Sequence, residues 1–166
     1  ACSGNTMSFL NAEEPSACDL VTDFGINVLW HPSLGLELGE NVKVMMEKCL
    51  SGEIPLDIFV FEGSVINAPN GTGEWNRFCG RPMKDWVADL SAKAQFVVAI
   101  GDCATWGGIP AAYGNPTGAM SVMDYLGKEY RSALGLPVVN VPGCSPVGDN
   151  FTETVFAVLL FLPIMG

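Results

Sequence analysis

Positive charge is what this sequence has least of: 8 Lys and Arg stand against 18 Asp and Glu in 166 residues, for a net charge of −10. A chain of that sign repels a phosphate backbone, which excludes nucleic acid as the default partner. Charge of either sign is scarce too, at 16% of residues against about 25% in an average soluble domain, while hydrophobic residues reach 49%. One domain of this length buries a full core, so the surplus apolar surface is expected to meet a partner subunit in an obligate complex. Long hydrophobic runs are also missing. The nearest approach, Val155 to Met165, is short and interrupted by Pro163, so no membrane-spanning helix is expected. His31 is the only histidine, and no tight C-x₂₋₄-C pair occurs, which argues against a structural zinc site. The six cysteines do not read as a disulfide scaffold, because burial alone can hold a chain of this size.

What is present is an alternation. Short apolar runs rich in Val, Ile and Phe occur at Ile26 to Trp30, Leu56 to Phe61, Phe96 to Ile100 and Pro137 to Val141, as in buried parallel strands. Helical periodicity lies between them: Val42, Met45, Met46, Cys49 and Leu50 share one face, and so do Met83, Trp86, Val87, Leu90 and Ala94. Further helices are expected over Thr6 to Asn11, Ala119 to Leu134 and Thr152 to Leu162, and Asn67 to Gly73 reads as a loop. No repeat or linker divides the chain. The pattern predicts one α/β domain over residues 1–166, with a parallel sheet and the chain beginning just after a first strand.

Ligands of open parallel sheets bind beyond the carboxyl ends of the strands, so the residues that follow each apolar run carry the chemistry. After the Phe96 run comes Gly101-Asp102-Cys103-Ala104-Thr105-Trp106-Gly107-Gly108, and after the Pro137 run comes Pro142-Gly143-Cys144-Ser145-Pro146. The Leu56 run ends at Glu62-Gly63, and Cys2 is expected to hold the equivalent place after the first strand. Three thiols and one carboxylate are thus expected at one edge of the sheet. Soft thiolates among glycines suit an iron–sulfur cluster better than zinc, since an inorganic core with anionic sulfur corners requires close backbone approach; buried free cysteines are the competing reading.

In this order and spacing, these loops resemble those of the N-terminal, flavodoxin-like domain of the small, electron-transferring subunit of [NiFe] hydrogenases, essentially end to end. In that family a C-x-x-C pair, a G-x-C-A-x-x-G-G loop and an N-x-P-G-C loop bind the proximal [4Fe-4S] cluster beside the nickel–iron site. The resemblance implies that Cys2, Cys103 and Cys144 are cluster ligands, that Glu62-Gly63 matches the family's E-G segment, and that the fold is a doubly wound parallel sheet. It also implies a large catalytic subunit carrying the Ni-Fe centre, H2 as the substrate of the complex, and a quinone or redox carrier as acceptor. Heterodimers gathered into a higher oligomer, in the cytoplasm or peripherally on the cytoplasmic face of the membrane, complete the expectation. The family's downstream domain with its further clusters has no counterpart before Gly166.

One departure concerns the cluster. The second place of the C-x-x-C pair is Asn5, in a string A-C-S-G-N-T-M-S-F-L-N that resembles the uptake, high-affinity branch of these enzymes. A fourth iron would then be held by the Asn5 amide oxygen or solvent, or be absent, leaving [3Fe-4S]. Asn5 also fits a plain helix N-cap. Another departure is that Gly4 and Gly108 stand where oxygen-tolerant relatives carry extra cysteines, so that device is absent. Cys18 and Cys79, in loop-like sequence, and Cys49, on an apolar helix face, read as ordinary thiols, Trp106 as a shield for the cluster, and His31 as hydrogen-bonded structure. Two other functions compete. Ser3-Gly4-Asn5-Thr6 is similar to the FMN phosphate loop of flavodoxins, but that leaves Cys103 and Cys144 without a purpose. The cluster-bearing subunit of NADH:quinone oxidoreductases is closer, although its loops typically include adjacent cysteines, and none occur here.

Overall fold

The computed structural model describes residues 3–165; Cys2 lies outside the described residues. In chain order the elements are α1 (Gly4–Leu10), α2 (Ala17–Thr22), α3 (Glu40–Ser51), β1 (Ile58–Glu62), β2 (Val65–Ile66), β3 (Arg77–Phe78), β4 (Arg81–Pro82), α4 (Met83–Ser91), β5 (Phe96–Ile100), α5 (Gly101–Trp106), β6 (Ala119–Met120), α6 (Val122–Leu126), β7 (Val139–Val141) and α7 (Gly148–Met165). The central sheet is parallel, in the order β1-β5-β7. Ile58 pairs with Phe96 and Glu62 with Ile100, while Ile100 pairs with Val141 on the other side, so the three carboxyl ends are level.

β5 sits in the middle of this sheet and is buried along its whole length. Its period of two divides the core. Phe96, Val98 and Ile100 face Phe9 of α1 and Phe151 and Val155 of α7, and Phe9 meets Phe151 edge to face. Val97 and Ala99 face Val87 of α4 and Val122 of α6. Helices therefore cover both faces, as a doubly wound sheet requires, and each fully buried Val or Phe here contributes about 1.5–3 kcal/mol. A separate cluster of Cys49, Trp86 and Leu90 ties α3 to α4, with Cys79 packed against it. Cys79 and Gly80 turn the β3–β4 hairpin with both φ angles positive, at 46° and 83°.

The Ile26 to Trp30 run is not a strand. A strand exists through a neighbour's ladder, and this segment joins none among the described residues: Ile26 packs on the β5–β7 face, Leu29 on the α3–α4 cluster, and Val28 is exposed. The helix expected from Ala119 to Leu134 shrinks to α6. Ala119 and Met120 pair instead with Ile66 and Val65, Ser121 caps α6 through Asp124 N–H at 2.9 Å, and Gly127, at φ 91°, ends it. Cys18 lies in a helix rather than a loop, because Ser16 and Asp19 form a capping box at the start of α2. The last helix is longer than expected, running from Gly148 to Met165. No helix among the described residues is long and apolar enough to cross a membrane.

Candidate functional site

The Glu62, Cys103 and Cys144 segments follow β1, β5 and β7, whose carboxyl ends lie on the same edge of the sheet. β5 passes directly into α5, so Cys103 lies in the first turn of a short helix rather than in a loop. Gly101 allows that sharp change of direction, with φ at 85° and the Asn5 side chain filling the space where a Cβ would stand. Cys144 follows β7 in the segment leading to α7 and is exposed, while Cys103 is half-buried; both thiols are free.

These two segments are joined through the residues that precede the cysteines. Asp102 N–H donates to the Gly143 carbonyl at 2.9 Å, and Gly143 N–H donates to Asp102 Oδ1 at 2.7 Å. Farther along, Ser8 Oγ of α1 donates to the Pro146 carbonyl, so the Cys144 segment is held at both ends. The Glu62-Gly63-Ser64 turn is tied in from the opposite side, where Ser64 Oγ donates to the Gly107 carbonyl at 2.7 Å. Gly108 then approaches Cys103 so closely that a Cβ there would stand 2.6 Å from Sγ.

Asn5 is not the cap of α1. It lies within the helix, buried, and its Nδ2 donates to the Ile100 carbonyl at 3.3 Å. Because that partner only accepts, the amide orientation is fixed and Oδ1 is the atom left to face a ligand. Glu62 ends β1 in register with Ile100, which places it at the same edge. Its negative charge reaches His31: burial pushes the imidazole below its ordinary value, and Glu62 pulls it partly back. His31 is hydrogen-bonded to three partners, as expected of a structural histidine. Nδ1 accepts from Ser33 and Leu34 N–H at 3.0 and 3.2 Å, and Nε2 lies 3.1 Å from Thr6 Oγ1.

The structure thus brings Asn5, Glu62, Cys103 and Cys144 to one edge. Among the described residues no three Cys, His, Asp or Glu side chains gather closely enough to hold a metal ion by themselves. Cys103 and Cys144 supply two soft donors and Asn5 Oδ1 a hard, neutral oxygen beside them, and the third thiol in sequence, Cys2, lies outside the described residues. The chemistry of this set fits an iron–sulfur cluster. Sequence reasoning singled out neither Asp102, Ser64 nor Ser8, although they bind the segments together; Asp102 beside Cys103 was the one legible signal. Trp106 is exposed.

The family model described as NADH ubiquinone oxidoreductase, 20 Kd subunit, matches residues 2–158. The Hydrogenase-2 small chain of Escherichia coli (strain K12) is 32% identical over 96% of this chain and 40% of the relative. The periplasmic [NiFeSe] hydrogenase small subunit of Desulfomicrobium baculatum is 33% identical over 94% of this chain and 51% of the relative. Among solved structures, the actinobacterial-type NiFe-hydrogenase from Ralstonia eutropha H16 superposes with a TM-score of 0.84 at 37% identity, covering 100% of this chain and 52% of that one. The chain spans about half the length of the proteins it matches. It belongs to the NADH ubiquinone oxidoreductase 20 Kd subunit family and, within it, is a small-subunit chain of the [NiFe] hydrogenase type.

Proposed function

We propose that this chain is the electron-transfer subunit of a [NiFe] hydrogenase that oxidises H2, standing between a nickel–iron site in a separate large subunit and an electron acceptor. The observation that carries this reading is the pairing of Asp102 with Gly143, which locks the Cys103 and Cys144 segments side by side at the carboxyl edge of the sheet. When bound there, an iron–sulfur cluster supplies reversible one-electron storage. The chain's own residues do the rest. Cys103 and Cys144, with Cys2, hold the iron as thiolates, and Asn5 presents a neutral oxygen where relatives carry a fourth thiolate. Gly108 keeps the backbone bare of a side chain against Cys103, and Gly143 lets the Cys144 segment turn tightly against Pro146. The large subunit covers the exposed apolar groups that follow Cys103, which accounts for the low charge fraction. A quinone or a soluble redox carrier takes the electrons, and heterodimers associate further.

The names of the relatives, small chains and small subunits of hydrogenases, support this reading over the respiratory one that the family model's description offers. A flavin reading loses ground because two polar groups of the Ser3 to Thr6 segment are turned to the protein itself, Asn5 Nδ2 to the Ile100 carbonyl and the Thr6 hydroxyl to His31.

The test is iron and acid-labile sulfide content with low-temperature EPR on the anaerobically purified complex, before and after dithionite. An oxidised-state signal with three irons at this site means [3Fe-4S] with Asn5 unligated; a reduced-state signal with four places Asn5 or solvent on the fourth iron. Bound flavin without iron overturns the proposal.

A further inference from the structure

His31 lies outside the thiol-bearing segments, yet its three hydrogen bonds determine its chemical state. Ser33 and Leu34 present backbone N–H groups to Nδ1, and such groups only donate, so Nδ1 carries no proton. In the neutral ring the proton is then on Nε2, which donates to Thr6 Oγ1. Thr6 is buried and directly follows Asn5 in the first turn of α1, where Asn5 is itself tied to the end of β5. The turn is therefore gripped from two sides, by the sheet through Asn5 and by the 31–34 segment through His31.

We infer that His31 is a positioning residue for the cluster edge: by donating Nε2–H to Thr6 Oγ1, it fixes the first turn of α1 and the direction in which Asn5 presents Oδ1. The inference rests on the function proposed above. Its chemistry is that of an outer-shell partner, which tunes a cluster through the orientation of the group that faces it rather than by touching iron. The pull of Glu62 on the ring fits this placement, since it puts His31 beside the same sheet edge.

Two variants separate this role from one in which His31 merely shapes its own turn. His31→Asn keeps an acceptor, Oδ1, for the Ser33 and Leu34 amides but is too short to reach Thr6. Thr6→Val removes the acceptor at the other end of the bond with almost no change of shape. In the anaerobically purified complex, both variants are expected to displace the midpoint potential of the proximal cluster in the same direction and to speed amide hydrogen exchange along α1 by about threefold to tenfold. The double variant is expected to go no further than either single one. If His31→Asn fails to assemble, Thr6→Val carries the test alone. Wild-type potential and exchange in Thr6→Val, with the cluster present, overturn the inference and leave the proposed function standing; a wild-type complex without any cluster overturns both.

Discussion

Asp102 and Gly143, 41 positions apart in sequence, exchange two hydrogen bonds, one between backbones and one from Gly143 N–H to the Asp102 carboxylate. Each is the residue immediately before a cysteine, so the distance between the two thiol-bearing backbones is set by this pair rather than by the thiols themselves. Two bonds at this point restrain the relative position of the two thiol-bearing segments, and such restraint lowers the ordering cost of binding.

Asp102→Ala leaves Gly143 N–H without its charged acceptor, at a cost of about 1–3 kcal/mol. The expected outcome is a lower unfolding midpoint and fewer iron atoms per complex, with Asp102→Asn, which keeps Oδ1, close to wild type. Iron quantitation on the three proteins decides; equal iron content in Asp102→Ala removes the pair from the account of the site.

Gly108→Ala tests the packing around Cys103. The backbone there has φ 59° and ψ −158°, a region essentially reserved for glycine, and the new methyl would stand 2.6 Å from Cys103 Sγ and 2.9 Å from its Cα. Because the Cα is backbone, no rotamer change relieves the clash. Destabilisation of about 1–3 kcal/mol with loss of cluster is expected, read by thermal unfolding and EPR.

How much of this was legible in sequence follows from which signals are local. The thiol segments and β5 were readable because a fully buried strand is an unbroken apolar run and the sheet edge follows it. Ile26 to Trp30 has the same composition, but composition carries no information about a ladder partner. α6 ended early because Ser121 and Gly127 punctuate a segment whose apolar period continues past both. Asn5 illustrates the same limit from another side: Asn at the start of a helix fits a cap, and only its burial against Gly101 and Ile100 shows the amide turned toward the sheet.

Asn5→Cys replaces a neutral oxygen by a thiolate in the first turn of α1. Net charge is a main determinant of cluster potential, so the wild-type cluster is expected to have the higher midpoint. A redox titration of both complexes checks this, and a wild-type midpoint below that of the variant would refute the placement of Asn5 opposite the fourth iron. The loss of the bond to Ile100 makes the variant about 1 kcal/mol less stable, a separate effect seen in unfolding.

His31 makes stability depend on pH with a definite sign. Its folded value lies below the ordinary 6.5, chiefly because burial disfavours the imidazolium. The neutral ring's contribution is thus fully present above that ordinary value and is lost as pH falls through the lower folded one, since the unfolded chain takes up the proton first. Protonated Nδ1 would also face the Ser33 and Leu34 N–H groups. Wild type is expected to lose more stability than His31→Asn between about pH 7.5 and pH 5.5. Parallel thermal melts across that window test it, and equal slopes would show that the ring does not titrate on unfolding.

Past α5 the chain leaves large apolar groups in water: Trp106 is 69% exposed, Ile109 84%, and Tyr113 fully so. They follow Cys103 in sequence, on either side of the Gly108 that packs against it, and large apolar and aromatic groups of this kind anchor protein interfaces. Ile109→Glu adds a charge to a side chain that contributes almost nothing to the core, so the fold is expected to keep its unfolding midpoint. A buried carboxylate facing an apolar partner is costly, and association with the large subunit is expected to weaken by about thirtyfold or more. Titration of the separately purified subunits by calorimetry reads that change directly. Weakened binding with an unchanged melt places the large subunit over these groups, whereas unchanged binding places it elsewhere and leaves the exposed Trp106 to Tyr113 stretch to a different partner.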